Sequence, residues 1–423
     1  MKTLKIILSL IFSLTFFACE DKNVFPDPMT MPIKALDLNV EILNLYTLSD
    51  GRAAALINVN DKMKEKITGK DAYQLAIIDK NGNYTLSDVM YFLELDEDEI
   101  AQTQLYESSS GEIFINFQII GITYTNIVKL DKDGHIIYSK DDEGVERESD
   151  GIYSYNLYTM FDNGEIADLS YNLEYDYEDD EIVDSFCFLN IINNYGDKKN
   201  LYFPINGDYY WTHIFSFEDK LCLYKSRFSI YFYINEQNLE NDDYGYIIAN
   251  NDGTTIKSGS LSSPISDIKY INGYIYVVTM DETSLDLIVP QWNVTKMDTN
   301  GEIISTSDKI QASYLSPNFT VHDGKLIIPG AVLTDETSED GIGVIYMLDD
   351  NTGNLTDSIA LSYNNMDVMP SVISPDNNGE YDVFALVRHD YDDWNDFKNG
   401  SSVEMGKVFI YHTDDLHKFN VND

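Results

Sequence analysis

The chain has 423 residues, with 72 acidic against 28 basic side chains and a formal net charge of −44. Such a surface repels nucleic acid, anionic lipid and anionic polysaccharide, so DNA and RNA are excluded as partners while neutral glycans, cations and basic protein surfaces remain. Disorder is excluded as well, because 43% of the residues are hydrophobic and 13% aromatic, enough to fill cores.

At the N-terminus, Lys2 and Lys5 precede an apolar stretch, 6–17, that ends at Ala18-Cys19. It is too short to cross a bilayer as a helix, and its basic start, apolar middle and small last residue predict an export signal over residues 1–18. A Cys directly after a small residue resembles the lipobox of bacterial lipoproteins. The box reads Phe16-Phe17-Ala18-Cys19, with Phe where Leu and a small residue are usual, and Glu20-Asp21-Lys22 follows. Together these are similar to surface lipoproteins of Bacteroidota-type bacteria. The resemblance implies lipidation at Cys19 and a mature chain anchored on the outer membrane, exposed at the surface, with the periplasmic face as the alternative. The bland alternative is an ordinary signal peptide with an incidental Cys. Residues 19–36, with Pro26, Pro28 and Pro32, read as the lipidated Cys and a flexible tether.

From residue 37 to 423 the chain reads as one repeating domain. Seven turns carry Gly or Asp and lead into apolar, strand-like runs: Asp50-Gly51, Ser110-Gly111, Asn163-Gly164, Glu218-Asp219, Asn272-Gly273, Asp323-Gly324 and Asn378-Gly379. They recur every 51 to 60 residues, the length of a four-stranded propeller blade. Second turns follow at 79–82, 131–134, 194–196, 251–253, 298–301 and 349–353, rich in the Asn-Gly and Asp-Gly pairs that tight hairpins require. Val, Ile, Tyr and Phe dominate the runs between them, and no helical periodicity is sustained. The predicted fold is therefore an all-β propeller of seven four-stranded blades, similar to six-to-eight-bladed propellers of the WD40 kind. Too few residues follow the last run to supply an outer strand, whereas residues 36–43 form a strand with no blade of their own. They are expected to complete the last blade and close the ring.

In such a meander the short Gly turns tile one face, and the connections of variable length gather on the other, where repeat proteins commonly bind ligands. The variable segments are 60–70, 171–184, 205–212, 233–245, 279–292, 334–341 and 388–406. All three Trp fall in or beside them. Flat rings stack on the apolar faces of pyranoses, which makes Tyr209, Tyr210, Trp211, Trp292, Tyr391 and Trp394 the candidate ligand-binding residues. With 31 Tyr in the chain, packing between blades accounts for aromatic loop residues equally well.

Two acidic clusters carry the oxygens that calcium prefers: Asp390, Asp392, Asp393 and Asp396, and Glu174, Asp176, Glu178, Asp179 and Asp180. Neither has EF-hand spacing, and solvated acidic loops explain both. The turn Asp131 to Gly134 is similar to half of such a loop, but hairpin chemistry suffices for it. Cys187 and Cys222 lie in apolar runs, where small buried hydrophobes are expected. Catalytic signatures are absent: there is no G-x-S-x-G elbow, no H-E-x-x-H and no Gly-rich phosphate loop. His389 and His213 are placed to act as bases, while His135 and His322 fall on the tight-turn face. The leading expectation is a non-catalytic module that binds a neutral glycan or an outer-membrane protein through its variable-loop face. A propeller-fold polysaccharide lyase or glycoside hydrolase, and a structural subunit of an outer-membrane complex, are the alternatives.

Overall fold

The computed structural model describes residues 34–416, apart from 39, 64–66, 95–99, 121–123, 144, 148–151, 177–180, 194–197, 204–212, 226–243, 262, 264, 285–286, 288, 334–340, 362–366, 377 and 389–406. The strands form seven antiparallel sheets arranged as a seven-bladed β-propeller. The chain starts with β1 (Lys34–Asp37) and enters blade 1, made of β2 (Ile42–Thr47), β3 (Ala53–Asn58), β4 (Lys70–Ile78), β5 (Tyr84–Leu86) and β6 (Met90–Leu93). Blade 2 follows with β7 (Ile100–Glu107), β8 (Ile113–Ile120), β9 (Tyr124–Leu130) and β10 (Ile136–Glu143). Blade 3 holds β11 (Val145–Arg147), β12 (Ile152–Met160), β13 (Ile166–Asp176), β14 (Glu181–Ile192) and β15 (Lys198–Phe203). Blade 4 has β16 (His213–Phe217), β17 (Lys220–Lys225), β18 (Tyr244–Asn250) and β19 (Thr255–Leu261). In blade 5 are β20 (Ile265–Ile271), β21 (Tyr274–Met280), β22 (Gln291–Asp298), β23 (Ile303–Thr306) and β24 (Ile310–Gln311). Blade 6 comprises β25 (Tyr314–Leu315), β26 (Thr320–His322), β27 (Lys325–Leu333), β28 (Gly341–Asp349) and β29 (Leu355–Leu361). Blade 7 ends the ring with β30 (Asp367–Pro375), β31 (Tyr381–Arg388) and β32 (Lys407–Thr413).

The predicted first turns join β2 to β3, β7 to β8, β12 to β13, β16 to β17, β20 to β21, β26 to β27 and β30 to β31, and the second turns join β4 to β5, β9 to β10, β18 to β19, β22 to β23 and β28 to β29, with 194–196 outside the described residues. Local chemistry explains why. Eleven of the turn glycines have φ between +72° and +91°, a region that a Cβ penalises. Asp79, Asp131, Asp298 and Asp376 each accept backbone N–H bonds from the residues two and four positions on, at 2.7–3.0 Å. These Asx turns pin the hairpins, and the Asp131 turn needs no cation to hold it.

Ring closure occurs as expected but with a shifted boundary. β1 pairs with β32 from Lys34 opposite Ile410 to Asp37 opposite Lys407, whereas residues from Ile42 onward belong to the inner strand of blade 1. Leu36, Leu38 and Val40 are buried between blades 7 and 1, which fixes the segment there. Two outer strands are each broken into two short pieces. In blade 1, Ser87 bonds Leu75 through both its backbone N and its Oγ, and Asp88 turns away to meet Gly134 O of blade 2. Ser307 and Asp308 repeat this device in blade 5, bonding Val294 and then Gly353 O of blade 6.

The core lies between blades, since each sheet is covered on both sides by its neighbours. Apolar clusters fill the junctions of blades 7 and 1, 1 and 2, 4 and 5, 5 and 6, and 6 and 7. At the junction of blades 1 and 2, the Phe92 and Phe117 rings stack with centroids 4.5 Å apart. Buried charge adds two further ties. Lys129 of blade 2 bonds Glu112 at 3.0 Å and Gly164 O of blade 3 at 2.6 Å. Lys296 of blade 5 bonds Asp350 of blade 6 at 2.6 Å beneath the Tyr274 ring.

Candidate ligand-binding face

The two ends of the propeller differ in what the chain builds there. On the tight-turn end the turns interlock: a Cβ on Gly134 would lie 3.0 Å from the Ser87 Cα, and one on Gly353 only 2.7 Å from the Ser307 Cα. At these two turns neighbouring blades meet backbone against turn, whereas the turns at Gly273, Gly324 and Gly379 have open space beside them. All connections between second and third strands open on the other end, and they include the long ones, from Asn58 to Lys70, Lys225 to Tyr244, Met280 to Gln291 and Arg388 to Lys407.

The described part of this loop end is polar and well held. In blade 1, Asn60 binds the Asp71 carboxylate and accepts the Ala72 N–H at 2.7 Å, while Asn58 donates to Glu41 at 3.4 Å. Burial raises the Glu41 carboxyl, and the nearby Asp71 charge adds to the rise. In blade 5, Lys309 and Thr283 bind Asp281 and hold its carboxyl down at about 2. Ser284 then ties the loop back to Asp281 O and to the Gln291 N–H.

Around the axis of the ring the inner segments bond to one another. Asn318 of blade 6 reaches past blade 7 to blade 1, donating to Leu45 O at 2.6 Å and accepting from the Thr47 N–H at 3.1 Å. Ser316 bonds Ser371 O of blade 7, and Tyr46 meets Thr103 of blade 2. On the inner strand of blade 5, burial pushes Asp267 up to about 7 and brings Lys269 down to about 8. Lys269 donates to Phe319 O at 2.9 Å.

Of the aromatic candidates, Trp292 is described, and it is core: it lies between blades 5 and 6, and its Nε1 donates to Ala312 O at 2.7 Å. No ring face is left there for a sugar. Tyr209, Tyr210, Trp211, Tyr391, Trp394, the four aspartates from Asp390 to Asp396, His389 and Cys19 lie outside the described residues, as do Glu178, Asp179 and Asp180. Among the described residues no three His, Cys, Asp or Glu side chains gather as a metal site. Cys222 is buried and its thiol is pushed up to about 12, which makes it the small hydrophobe expected. His213 opens β16, paired with Tyr224 of β17. His135 and His322 sit on the tight-turn end, as the spacing predicts.

Sequence reasoning missed His412. Its Nδ1 lies 2.8 Å from Asp382 and its Nε2 3.0 Å from Glu380. Carboxylates on both ring nitrogens favour the imidazolium, and the Asp382 hydrogen bond is the main cause of its raised pKa. Asp382 and His412 face each other across β31 and β32.

The class of protein defined by this architecture is the seven-bladed β-propeller. No protein-family model matches the chain, and no curated protein matches it. Among solved structures it is similar to the NanB sialidase of Streptococcus pneumoniae, at 12% identity and a TM-score of 0.43 over 93% of this chain and 71% of that one. It is also similar to polysaccharide lyase Uly1, at 8% identity and a TM-score of 0.42 over 89% and 90% of the two chains. BamB of Moraxella catarrhalis matches at 10% identity and 0.34 over 87% and 81%. At such identities the likeness is one of fold.

Proposed function

We propose that this protein is a surface-anchored binding module that takes a neutral glycan on the loop end of its propeller. The observation that carries this reading is the division between the ends: one built of short turns, the other holding the long connections. Anchorage by a lipid at Cys19 agrees with the direction of β1. It runs antiparallel to β32, so Lys34 stands at the tight-turn end, against Gly82. A tether reaching Lys34 from a membrane would leave the loop end facing outward. The test is retention of the protein by immobilised neutral polysaccharides, in calcium and again with chelator. Retention without release of soluble sugar supports the reading; no retention in either condition overturns it.

A second reading, a propeller-fold lyase or hydrolase, is favoured by Asp267. A carboxyl that holds its proton near neutral pH is what general-acid catalysis requires. Release of new reducing ends or unsaturated sugars by the wild-type chain, lost in Asp267→Asn, would replace the binding module with an enzyme.

A further inference from the structure

Among the described residues thirteen large apolar side chains stand exposed, and seven of them gather at one repeated place, the start of an outer strand just beyond a second turn. On blades 1 and 2 they are Tyr84 and Leu86 of β5 and Ile136 and Ile137 of β10. On blades 5 and 6 they are Ile303 and Ile304 of β23 and Leu355 of β29. The positions correspond: Tyr84, Ile136, Ile303 and Leu355 each stand two residues past a turn glycine, where blade 4 has Thr255.

The same device fastens each pair of blades. Asp88 donates its N–H to Gly134 O at 2.8 Å, and its carboxylate accepts the Ile136 N–H at 3.0 Å. Asp308 donates to Gly353 O at 3.0 Å and accepts the Leu355 N–H at 3.0 Å. The apolar residues of neighbouring blades thus share one stretch of rim around an exposed carboxylate. Bulges aim two of them outward. The register slips past Ile137 in β10 and past Ile304 in β23. An extra residue breaks the alternation of sides, so consecutive isoleucines both face solvent. Bulged edges also resist the addition of another strand, so what the rim offers is side chains.

A single exposed aliphatic is ordinary, whereas a patch repeated at matching positions on two blade pairs marks an interaction surface. Charge narrows what covers it. The net charge of −44 repels a second copy of the chain and an anionic bilayer alike. Asp88, Asp131 and Asp133 frame the first patch, and Glu302, Asp308 and Asp349 the second. The nearby Lys132, His135 and Lys257 each pair with one of these acids, which outnumber them. The segment leading into Lys34 arrives against Gly82, beside the first patch alone, and so does not account for the second.

We infer that the two rim patches are docking sites for a basic partner protein, whose apolar side chains cover the exposed isoleucines while its Lys or Arg groups meet Asp88 and Asp308. The patches stand apart from the loop end, so this inference and the glycan reading stand or fall separately.

The experiment is calorimetry on the full chain in about 0.3 M salt, which screens attraction by charge alone, with a short amphipathic peptide of Leu and Lys as the probe. A Ser and Lys peptide of equal charge and a Leu and Glu peptide serve as controls. Two sites per chain are expected for the Leu and Lys peptide and none for either control. Leu86→Thr, Ile136→Thr and Ile137→Thr together are expected to remove one site, and Ile303→Thr, Ile304→Thr and Leu355→Thr the other. All six together should weaken binding at least about tenfold, with circular dichroism unchanged because Thr suits a strand. The inference is overturned if the Leu and Lys peptide does not bind, if the Ser and Lys peptide binds as well, or if the sixfold variant binds as the wild type does. A dimer in sedimentation, or flotation with phosphatidylcholine vesicles, that the sixfold variant abolishes overturns it in favour of a second copy or of lipid. A single site, sensitive only to the blade 5 and 6 substitutions, overturns it as well, with the chain's own N-terminal segment as the occupant of the first patch.

Discussion

Along β8 the side chains turned toward blade 1 are Ile113, Ile115 and Phe117, all buried in one apolar cluster, while those turned toward blade 3 run Phe114, Asn116, Gln118. The strand is the same and the depth is comparable. What differs, among the described residues of the strand, is that every position on the blade 1 side is apolar core, whereas Asn116 and Gln118 follow Phe114 on the blade 3 side. One strand can therefore carry buried polar groups on one side while the other side is wholly apolar.

Truncating the apolar side tests this contrast most severely. Phe117→Ala empties a fully buried site stacked on Phe92 and is expected to cost about 4 kcal/mol, read as a fall in the urea midpoint at unchanged m-value. On the other side of the blade, Lys129→Ala strips the cation from Glu112 and Gly164 O, with an expected loss of about 3 kcal/mol in the same assay. An equal or larger loss from Lys129→Ala would mean that blade 3 is held chiefly by charge. Gly134→Ala strains a residue at φ +91° against the Ser87 backbone and is expected to cost about 2 kcal/mol. If it costs nothing, blades 1 and 2 are not held together at that turn.

The smallest effects are those of pH, away from either face of blade 2. His412 has a raised pKa in the folded protein, so its contribution is complete below the unfolded value of about 6.5 and fades as pH climbs through the folded one. The turn aspartates Asp79, Asp131, Asp298, Asp349 and Asp376 are lowered by hydrogen bonds, so theirs is complete above about 3.9 and fades as pH falls through the folded values. Thermal midpoints across pH are expected to decline on both sides. His412→Gln should flatten the alkaline decline and leave the acid one, and an unchanged alkaline decline would show that His412 does not hold blade 7.

The blade count and the twelve described turn positions were legible because positive φ favours Gly, Asn or Asp at a fixed place in a hairpin, Glu218 at φ +52° being the exception. The breaks at Ser87-Asp88 and Ser307-Asp308 were also written in the sequence, as Leu-Ser-Asp and Thr-Ser-Asp beginning four and five residues beyond a turn glycine, but three residues are too few to stand out from loop chemistry. Trp292 was misplaced for a different reason. It follows Pro290 at the end of a long connection, and only pairing with β21 and β24 carries it into the junction of blades 5 and 6. The polar side of blade 2 was hidden by the alternation itself. In Ile113-Phe114-Ile115-Asn116-Phe117-Gln118 the polar positions look solvent-facing, and no local pattern tells that the opposite side is another blade. His412 needed partners from β31 and the turn before it, and no strand predicts its neighbour's register.

The pairing of β1 with β32 also sets a timetable. Lys34 and Ile410 stand at opposite ends of the chain, so during synthesis the first strand has no mate until the last blade has been made. Contacts of such sequence separation form slowly, because the intervening segment must first be brought together. Until then, blade 1 exposes to solvent the side that blade 7 later covers, including Leu45, Ala53 and Ala55. The interval before closure is when a newly made chain is most prone to stick to its neighbours.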